Sequence, residues 1–500
     1  MAALGVALLV LALRRDSPRW CAVVGLVWGL AFFLPHLRWA DEATGPLPWL
    51  VLAALQAALL AVGTAAWAWT RRAPRLGGHG PSAVLAFAVL WVATEQLRSG
   101  WPFGGFPWGR LAFSQTDGPL LRLAWLGGAP AVSAAVAASG FLLASAWLAV
   151  RGRRLGSALV AAGVVVTLPL LSAALPLADE AEAGTLRLAA VQGDVAAAGA
   201  TDRARAVLDN HVAGTLALGE AVGDGRLDVV LWPENATDID PRADSAASAA
   251  IDAAARSVGA PILVGTNRYT DAGRYNEMLL WQPGRGPVFA YAKQRPAPFG
   301  EYIPLRGLVR LFSSEVDRVQ VDMLPGTRSA VVPLDSPRLG RPVLLATVIC
   351  FEVAFDDLVR DAVRDGAELL VIPTNNASFG RTPESTQQLA MSRLRAVEHG
   401  RAAVQISTVG VSAVISPDGT IQQQTALFTS DTMLAELPLR TSLTPADRIG
   451  DRVVIVVVVL ALAGVAAGIR ATRARRPARA HGGARSPRLR RTFMGSRRAG

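Results

Sequence analysis

Apolar residues fill long runs over the first 177 positions and again near 453–469, whereas between about 185 and 440 they come in short clusters separated by polar stretches. The long runs predict membrane spans at Ala2–Leu13, Trp20–Leu37, Leu47–Trp69, Pro81–Leu97, Gly127–Val150, Leu155–Leu177 and Val453–Ile469, since a bilayer crossing takes roughly 17–25 apolar residues. The first run falls short of that, so it reads as an interfacial helix or as part of a span that starts upstream. In the middle the period changes. Runs at Leu186–Val191, Leu227–Trp232, Pro261–Gly265, Met278–Trp281, Val343–Ile349, Glu368–Ile372, Ala403–Ser407 and Ser412–Ile415 predict strands. Helical spacing appears at Asp202–Leu218, Ser245–Ser257, Phe355–Arg364 and Glu384–His399. This alternation predicts an α/β domain with one substantial core, and Pro417-Asp418-Gly419 marks a late hairpin turn.

Charge gives the chain a direction. Arg14, Arg15 and Arg19, then Arg71, Arg72 and Arg75, then Arg151, Arg153 and Arg154 occupy alternate loops, as loops on the cytoplasmic side do. Asp41 and Glu42 fall in an intervening loop, and Asp179, Glu180 and Glu182 follow the sixth run. The expected organisation is therefore a multi-pass plasma-membrane protein, with an N-terminal multi-span domain over 1–177 and an extracytoplasmic domain over 185–440. A last span over 449–469 then precedes a basic, disordered cytoplasmic tail over 470–500. That tail holds 11 arginines and no acid, which equals the whole net charge of +11. It adjoins a membrane helix and lacks interleaved aromatics, so it fits anionic lipid headgroups and not nucleic acid.

Candidate chemistry lies in the middle domain. Cys21 and Cys350 are the two cysteines; they fall on opposite sides of the expected topology, and neither has the spacing of a disulfide framework or a metal site. Lys293 is the only lysine among 50 lysines and arginines. An ammonium is a compact point charge that a planar guanidinium cannot replace, so the position is a candidate site. Glu234, Lys293 and Cys350 each follow an apolar strand-like run. A carboxylate can take a thiol proton, a thiolate can attack a carbonyl, and an ammonium can hold the oxyanion. Taken singly, Glu234 could cap a helix, Cys350 could be a core thiol, and Glu301 could pair with Arg306 on the surface. The aromatics Trp101, Phe103, Phe106 and Trp108 fit an interfacial belt and a lipid-gating loop equally well.

Several stretches carry a resemblance: Val191-Gln192-Gly193-Asp194, Trp232-Pro233-Glu234-Asn235-Ala236, Tyr275-Asn276, Pro298-Phe299-Gly300-Glu301-Tyr302-Ile303-Pro304, Ile349-Cys350-Phe351-Glu352, Thr374-Asn375-Asn376-Ala377-Ser378-Phe379-Gly380 and Arg395-Ala396-Val397-Glu398. Their Glu, Lys and Cys, in this order, resemble the triad of the nitrilase (carbon–nitrogen hydrolase) superfamily. With Phe106-Pro107-Trp108-Gly109 and the spans, the chain resembles the membrane-bound apolipoprotein N-acyltransferase family. The resemblance implies a polytopic α-helical membrane domain joined to an αββα sandwich. It also implies an acyl transfer without cofactor or metal. Cys350 would take an acyl chain from a membrane phospholipid as a thioester and pass it to the amino group of a diacylglyceryl-modified cysteine on an apolipoprotein. Glu234 would be the base and Lys293 the oxyanion stabiliser. Glu301 and Glu352 match supporting positions, and the Phe351 N–H is placed to be a second oxyanion donor. Two departures stand out: Phe351 replaces a common Tyr, and Asn376 and Ser378 stand where Asp and Trp are frequent.

Two rival functions use the same residues differently. A membrane-anchored amidase would release the acyl group to water, but an anchor needs far fewer spans than this chain has. A transporter or scaffold would place ionisable residues within the spans, and only Glu95 stands out there.

Overall fold

The computed structural model describes residues 1–195, 203–222, 226–311, 316, 317 and 319–481. Among these, five helices are long and apolar enough to cross a membrane: Pro18–His36, Pro46–Thr70, Pro119–Arg151, Leu155–Ala173 and Arg452–Ala474. Ser17 starts the first of them by accepting a hydrogen bond from the Trp20 N–H, with Pro18 in the first turn. That helix packs tightly on Pro46–Thr70. A methyl group at Gly29 would come within 2.8 Å of the Ala57 Cα, the close approach that small residues permit between membrane helices.

The other two apolar runs are not among these five. Ala2–Ala12 is a helix of 11 residues, too short to cross a bilayer upright. Pro81–Gly100 is long enough, but its last turns carry Thr94, Glu95 and Arg98, all buried, and these polar groups take it out of the apolar class. It packs against the helices around it, Pro46–Thr70, Ala124–Arg151 and Arg452–His481. The last helix runs on to His481, past the start of the tail expected from 470; 482–500 lie outside the described residues.

Among the described residues the middle domain contains twelve strands: β1 (Thr185–Gln192), β2 (Val229–Leu231), β3 (Ile262–Thr270), β4 (Gly273–Gln282), β5 (Gly286–Ala292), β6 (Val331–Ser336), β7 (Arg341–Thr347), β8 (Leu369–Thr374), β9 (Ala403–Ser407), β10 (Ala413–Ile415), β11 (Ile421–Gln424) and β12 (Asp431–Pro438). They form two six-stranded mixed sheets, in the orders β12-β1-β2-β3-β4-β5 and β11-β10-β9-β8-β7-β6. Alternation along β1 explains the layers. Leu186, Leu188 and Ala190 join a core shared with Val343, Leu345 and Leu370 of the second sheet. Ala189 and Val191 face the other way, onto the helices Arg203–Val222 and Ser245–Val258. Asp356–Arg364 and Glu384–His399 cover the second sheet, which completes a helix–sheet–sheet–helix sandwich.

All eight of the listed strands are present, Ala403–Ser407 with the expected bounds and the others with shifted ends, and Pro417-Asp418-Gly419 does turn β10 into β11. β5 is the strand-like run that precedes Lys293, and the strands without a sequence expectation are β6, β11 and β12. β12 pairs antiparallel with β1, and Thr185 opposite Pro438 brings the entry and exit of the domain side by side.

Candidate active site

The ends of β2, β5, β7 and β8 converge, and each delivers part of one cluster. Glu234 lies just beyond β2, held where β3 passes very close; a Cβ at Gly265 would strike the Pro233 carbonyl oxygen and the Glu234 Cα, so only glycine fits. Lys293 immediately follows β5. Its Nζ lies 3.2 Å from Glu234 Oε1 and 2.7 Å from Glu301 Oε1, with Lys293 only 1% and Glu234 3% exposed. Glu301 is positioned by its own loop, its Oε2 accepting the Ala297 N–H at 2.6 Å. The surface pair with Arg306 does not form: Arg306 bonds Asp322 and the Val316 carbonyl.

Cys350 opens a short turn, Cys350–Ala354, just past β7 and has a left-handed backbone with φ of 53°. Such a conformation is costly for a residue with a Cβ and is maintained by its surroundings. Glu352 supplies much of that support. It accepts the N–H groups of Ile349 at 2.7 Å, Gln294 at 2.6 Å and Arg295 at 3.0 Å, together with the Tyr291 hydroxyl at 3.0 Å. One fully buried carboxylate thus ties the exit of β5 to the turn that carries the thiol.

The charges follow from burial and proximity. Burial, and then the Glu301 charge, push the Glu234 carboxyl above the usual carboxylate range, although Lys293 pulls it back. Burial alone would push the Lys293 ammonium down, but Glu234 and Glu301 outweigh it and hold it charged well above the ordinary lysine range. Burial, and then the Glu234 charge, push the Cys350 thiol up, and Lys293 works against them. Burial raises Glu352 to about 6. Burial thus favours a thiol that rests protonated, beside the lysine-bound Glu234 carboxyl group.

Several members of the cluster had no role assigned from sequence. The Asn375 N–H donates to Glu234 Oε2 at 2.8 Å, and the Asn276 side-chain amide donates to Oε1. Both lie in motifs quoted above, so the signal was present without the role. Glu384 gave no such signal, since an acid in the first turn of a helix normally faces solvent. Here it is 2% exposed, accepts from Asn376 Nδ2 at 2.6 Å, and is raised by burial to about 8. Asn376, where Asp is frequent in the resembling family, therefore faces a carboxyl group supplied by the next helix. Ser378 is exposed.

The aromatic loop divides. Phe106 and Trp108 stack on Phe351 with ring centroids 5.7 and 6.2 Å apart, which joins the membrane domain to the thiol's turn. Trp101 and Phe103 remain exposed. Between Phe103 and the Phe351 side of the turn lies an open cleft of about 380 Å³.

Residues 1–142 match the apolipoprotein N-acyltransferase N-terminal domain, and residues 187–443 match the carbon-nitrogen hydrolase family. A protein of Mycolicibacterium smegmatis named apolipoprotein N-acyltransferase is 40% identical over 471 residues, covering 88% of this chain and 76% of the relative. One of the same name from Azotobacter vinelandii is 33% identical over 467 residues, covering 89% and 86%. Among solved structures, a nitrilase-superfamily amidase of Nesterenkonia AN1 aligns with a TM-score of 0.39 at 19% identity, over 51% of this chain and 92% of the amidase.

Proposed function

The chain belongs to the apolipoprotein N-acyltransferase family, a membrane-bound branch of the carbon–nitrogen hydrolases, and on that premise we propose that Glu234, Lys293 and Cys350 carry out a two-step acyl transfer. The observation that carries the assignment is the buried Lys293 ammonium shared between Glu234 and Glu301. In the first step Glu234 takes the Cys350 proton and the thiolate attacks an ester carbonyl of a membrane phospholipid. The C–S bond forms, the oxyanion is held by Lys293 Nζ and the Phe351 N–H, and the ester C–O bond then breaks. The proton on Glu234 leaves with the lysophospholipid alcohol. In the second step the amino group of a diacylglyceryl-cysteine at an apolipoprotein N-terminus attacks the thioester. The C–N bond forms, the C–S bond breaks, and a proton returns to the thiolate.

Glu301 keeps the ammonium in place, and Glu352 sets the turn on which the thiol sits. The arginine-bearing loops support an extracytoplasmic position for residues 185–440, with the tail after 470 in the cytoplasm. Protease added to sealed right-side-out cells reaches a tag after residue 470 only if that orientation is wrong. The chemistry is tested by intact-protein mass spectrometry of the purified full chain after incubation with phospholipid. An acyl adduct on Cys350 that a diacylglyceryl lipopeptide discharges is expected. An adduct that persists on the Cys350→Ala protein, or one that only water discharges, overturns the proposal.

A further inference from the structure

Resting on the phospholipid-donor reading, we infer that Arg295 anchors the donor's phosphodiester and so makes the headgroup phosphate a specificity determinant of the first step. The cleft beside the thiol's turn is walled by Phe103, Tyr302, Met323, Phe351 and Phe355, and Arg295 is the one charged residue among the described residues that line it. Apolar walls suit an acyl chain. A single cation among them suits the one anionic group that a phospholipid carries close to its ester.

Position, not residue type, carries the argument, because nearly every cation in this chain is arginine. The Arg295 side chain is 40% exposed. Its Nη2 lies 2.6 Å from Asp357 Oδ2, and its guanidinium lies over the Phe355 ring at 5.2 Å. Asp357 and the ring fix the plane, while no hydrogen bond within the described residues engages Nε or Nη1. That leaves oriented N–H donors for a phosphate oxygen, an acceptor that a guanidinium suits. Asp357 offsets part of the charge, and the remaining nearby acids are engaged: Glu301 with Lys293 and Ala297, Glu352 with three backbone N–H groups.

The anchor is also fixed relative to the nucleophile. The Arg295 N–H donates to Glu352, the carboxylate that accepts the Ile349 N–H next to Cys350. Phe355, beneath the guanidinium, meets Phe351 edge to face at 5.1 Å. In a phospholipid only the glycerol backbone separates the ester from the phosphate. A cation and a thiol whose two segments are tied to one buried carboxylate can therefore measure that separation.

The test compares two acyl donors on the purified full chain in mixed micelles: phosphatidylglycerol, and p-nitrophenyl palmitate, which has no phosphate. Thioester formation on Cys350 is read for wild type, Arg295→Gln and Arg295→Lys. Arg295→Gln is expected to shift the kcat/KM ratio about tenfold or more against phosphatidylglycerol, the effect of losing one hydrogen bond to a charged group; the rise is expected in KM. Arg295→Lys, which restores a point charge, is expected to fall between. A role confined to folding would lower both donors together and leave the ratio in place, and a ratio within twofold of wild type in Arg295→Gln overturns the inference. If wild type reacts with p-nitrophenyl palmitate but forms no thioester from phosphatidylglycerol, the phospholipid-donor reading fails and the inference with it.

Discussion

Arg110, in the loop that leaves the helix Pro81–Gly100, grips both carboxylate oxygens of Asp356 at 2.7 and 2.8 Å. The same carboxylate accepts Arg395 Nη2 at 2.8 Å, and Arg395 donates to the Val353 and Ala354 carbonyls at 2.8 and 2.9 Å. A charge from the membrane domain therefore reaches the end of the turn that begins at Cys350. Burial works against the Asp356 charge, but Arg110 and Arg395 overcome it and hold the carboxyl well below its usual range.

Removing one partner from such a buried set leaves the others uncompensated and costs about 3–5 kcal/mol. Arg110→Gln is accordingly expected to lower the thermal unfolding midpoint of the detergent-solubilised protein and to slow thioester formation on whatever folds. Arg110→Lys, which keeps the charge but not the planar guanidinium, should fall between. An Arg110→Gln protein that melts with wild type would mean that the two domains are held elsewhere.

Glu301→Gln isolates the second carboxylate of the lysine pair. Glutamine keeps the volume and can still accept the Ala297 N–H, so the loop is retained while one of two charged partners of Lys293 is lost. A hydrogen bond between charged groups contributes about 1.5–3 kcal/mol, so single-turnover thioester formation should slow by roughly tenfold to a hundredfold. An unchanged rate would confine Glu301 to shaping its loop.

Much of this was legible in the chain because the relevant signals are local. Glu234, Lys293 and Cys350 follow apolar runs that could be read as strands, and strand ends are where one side of a sandwich gathers its side chains. The unread parts depend on long-range pairing. β12 is a half-exposed run, Asp431–Pro438, whose partner lies some 250 residues earlier in β1, and nothing in its own pattern announces that register. The role of Glu352 was visible only as a motif position, since its four donors come from residues 291 to 295 and from 349. Pro81–Gly100 reads as a span by its apolar beginning, whereas its polar end is buried by the Arg110 loop, with the Leu111 N–H donating to Glu95 at 2.9 Å.

Glu384 should give the protein an alkaline weakness. A carboxyl raised from its ordinary value to about 8 by burial binds its proton more tightly folded than unfolded. Its favourable contribution is present in full below the ordinary carboxylate pKa of about 4.3 and is lost as pH rises through about 8. The groups facing it are Asn376, which donates to it, and the nearby Cys350 and Glu234. No described cation pairs with it. Between pH 6 and pH 9 the wild type is expected to lose stability that Glu384→Gln retains. The expected difference is roughly 1–3 kcal/mol, the usual penalty for an uncompensated buried polar group, read from denaturation midpoints in detergent. Parallel pH profiles for the two proteins would mean that Glu384 stays ionised throughout.

Lys293→Arg tests whether the chain's only lysine is there for its shape. The substitution keeps the positive charge, so both carboxylates still have a counter-ion. The site, however, is almost fully buried and fitted to an ammonium, with Glu301 at 2.7 Å and Glu234 at 3.2 Å. A planar fork would have to satisfy two carboxylates from a longer stem, and in doing so it would enter the space where an acyl carbonyl must meet Cys350. Loss of one oxyanion donor costs about 2.7–4 kcal/mol in barrier, on the order of 10² to 10³ in rate. Arg at this position is therefore expected to cut single-turnover thioester formation by at least that factor. Because the ion pairs survive, the unfolding midpoint should move far less than it does in Lys293→Met, which strands the buried Glu234 carboxylate and its part-buried neighbour Glu301. That separation between rate and stability is the decisive reading: an arginine variant as fast as wild type would show that any cation serves here.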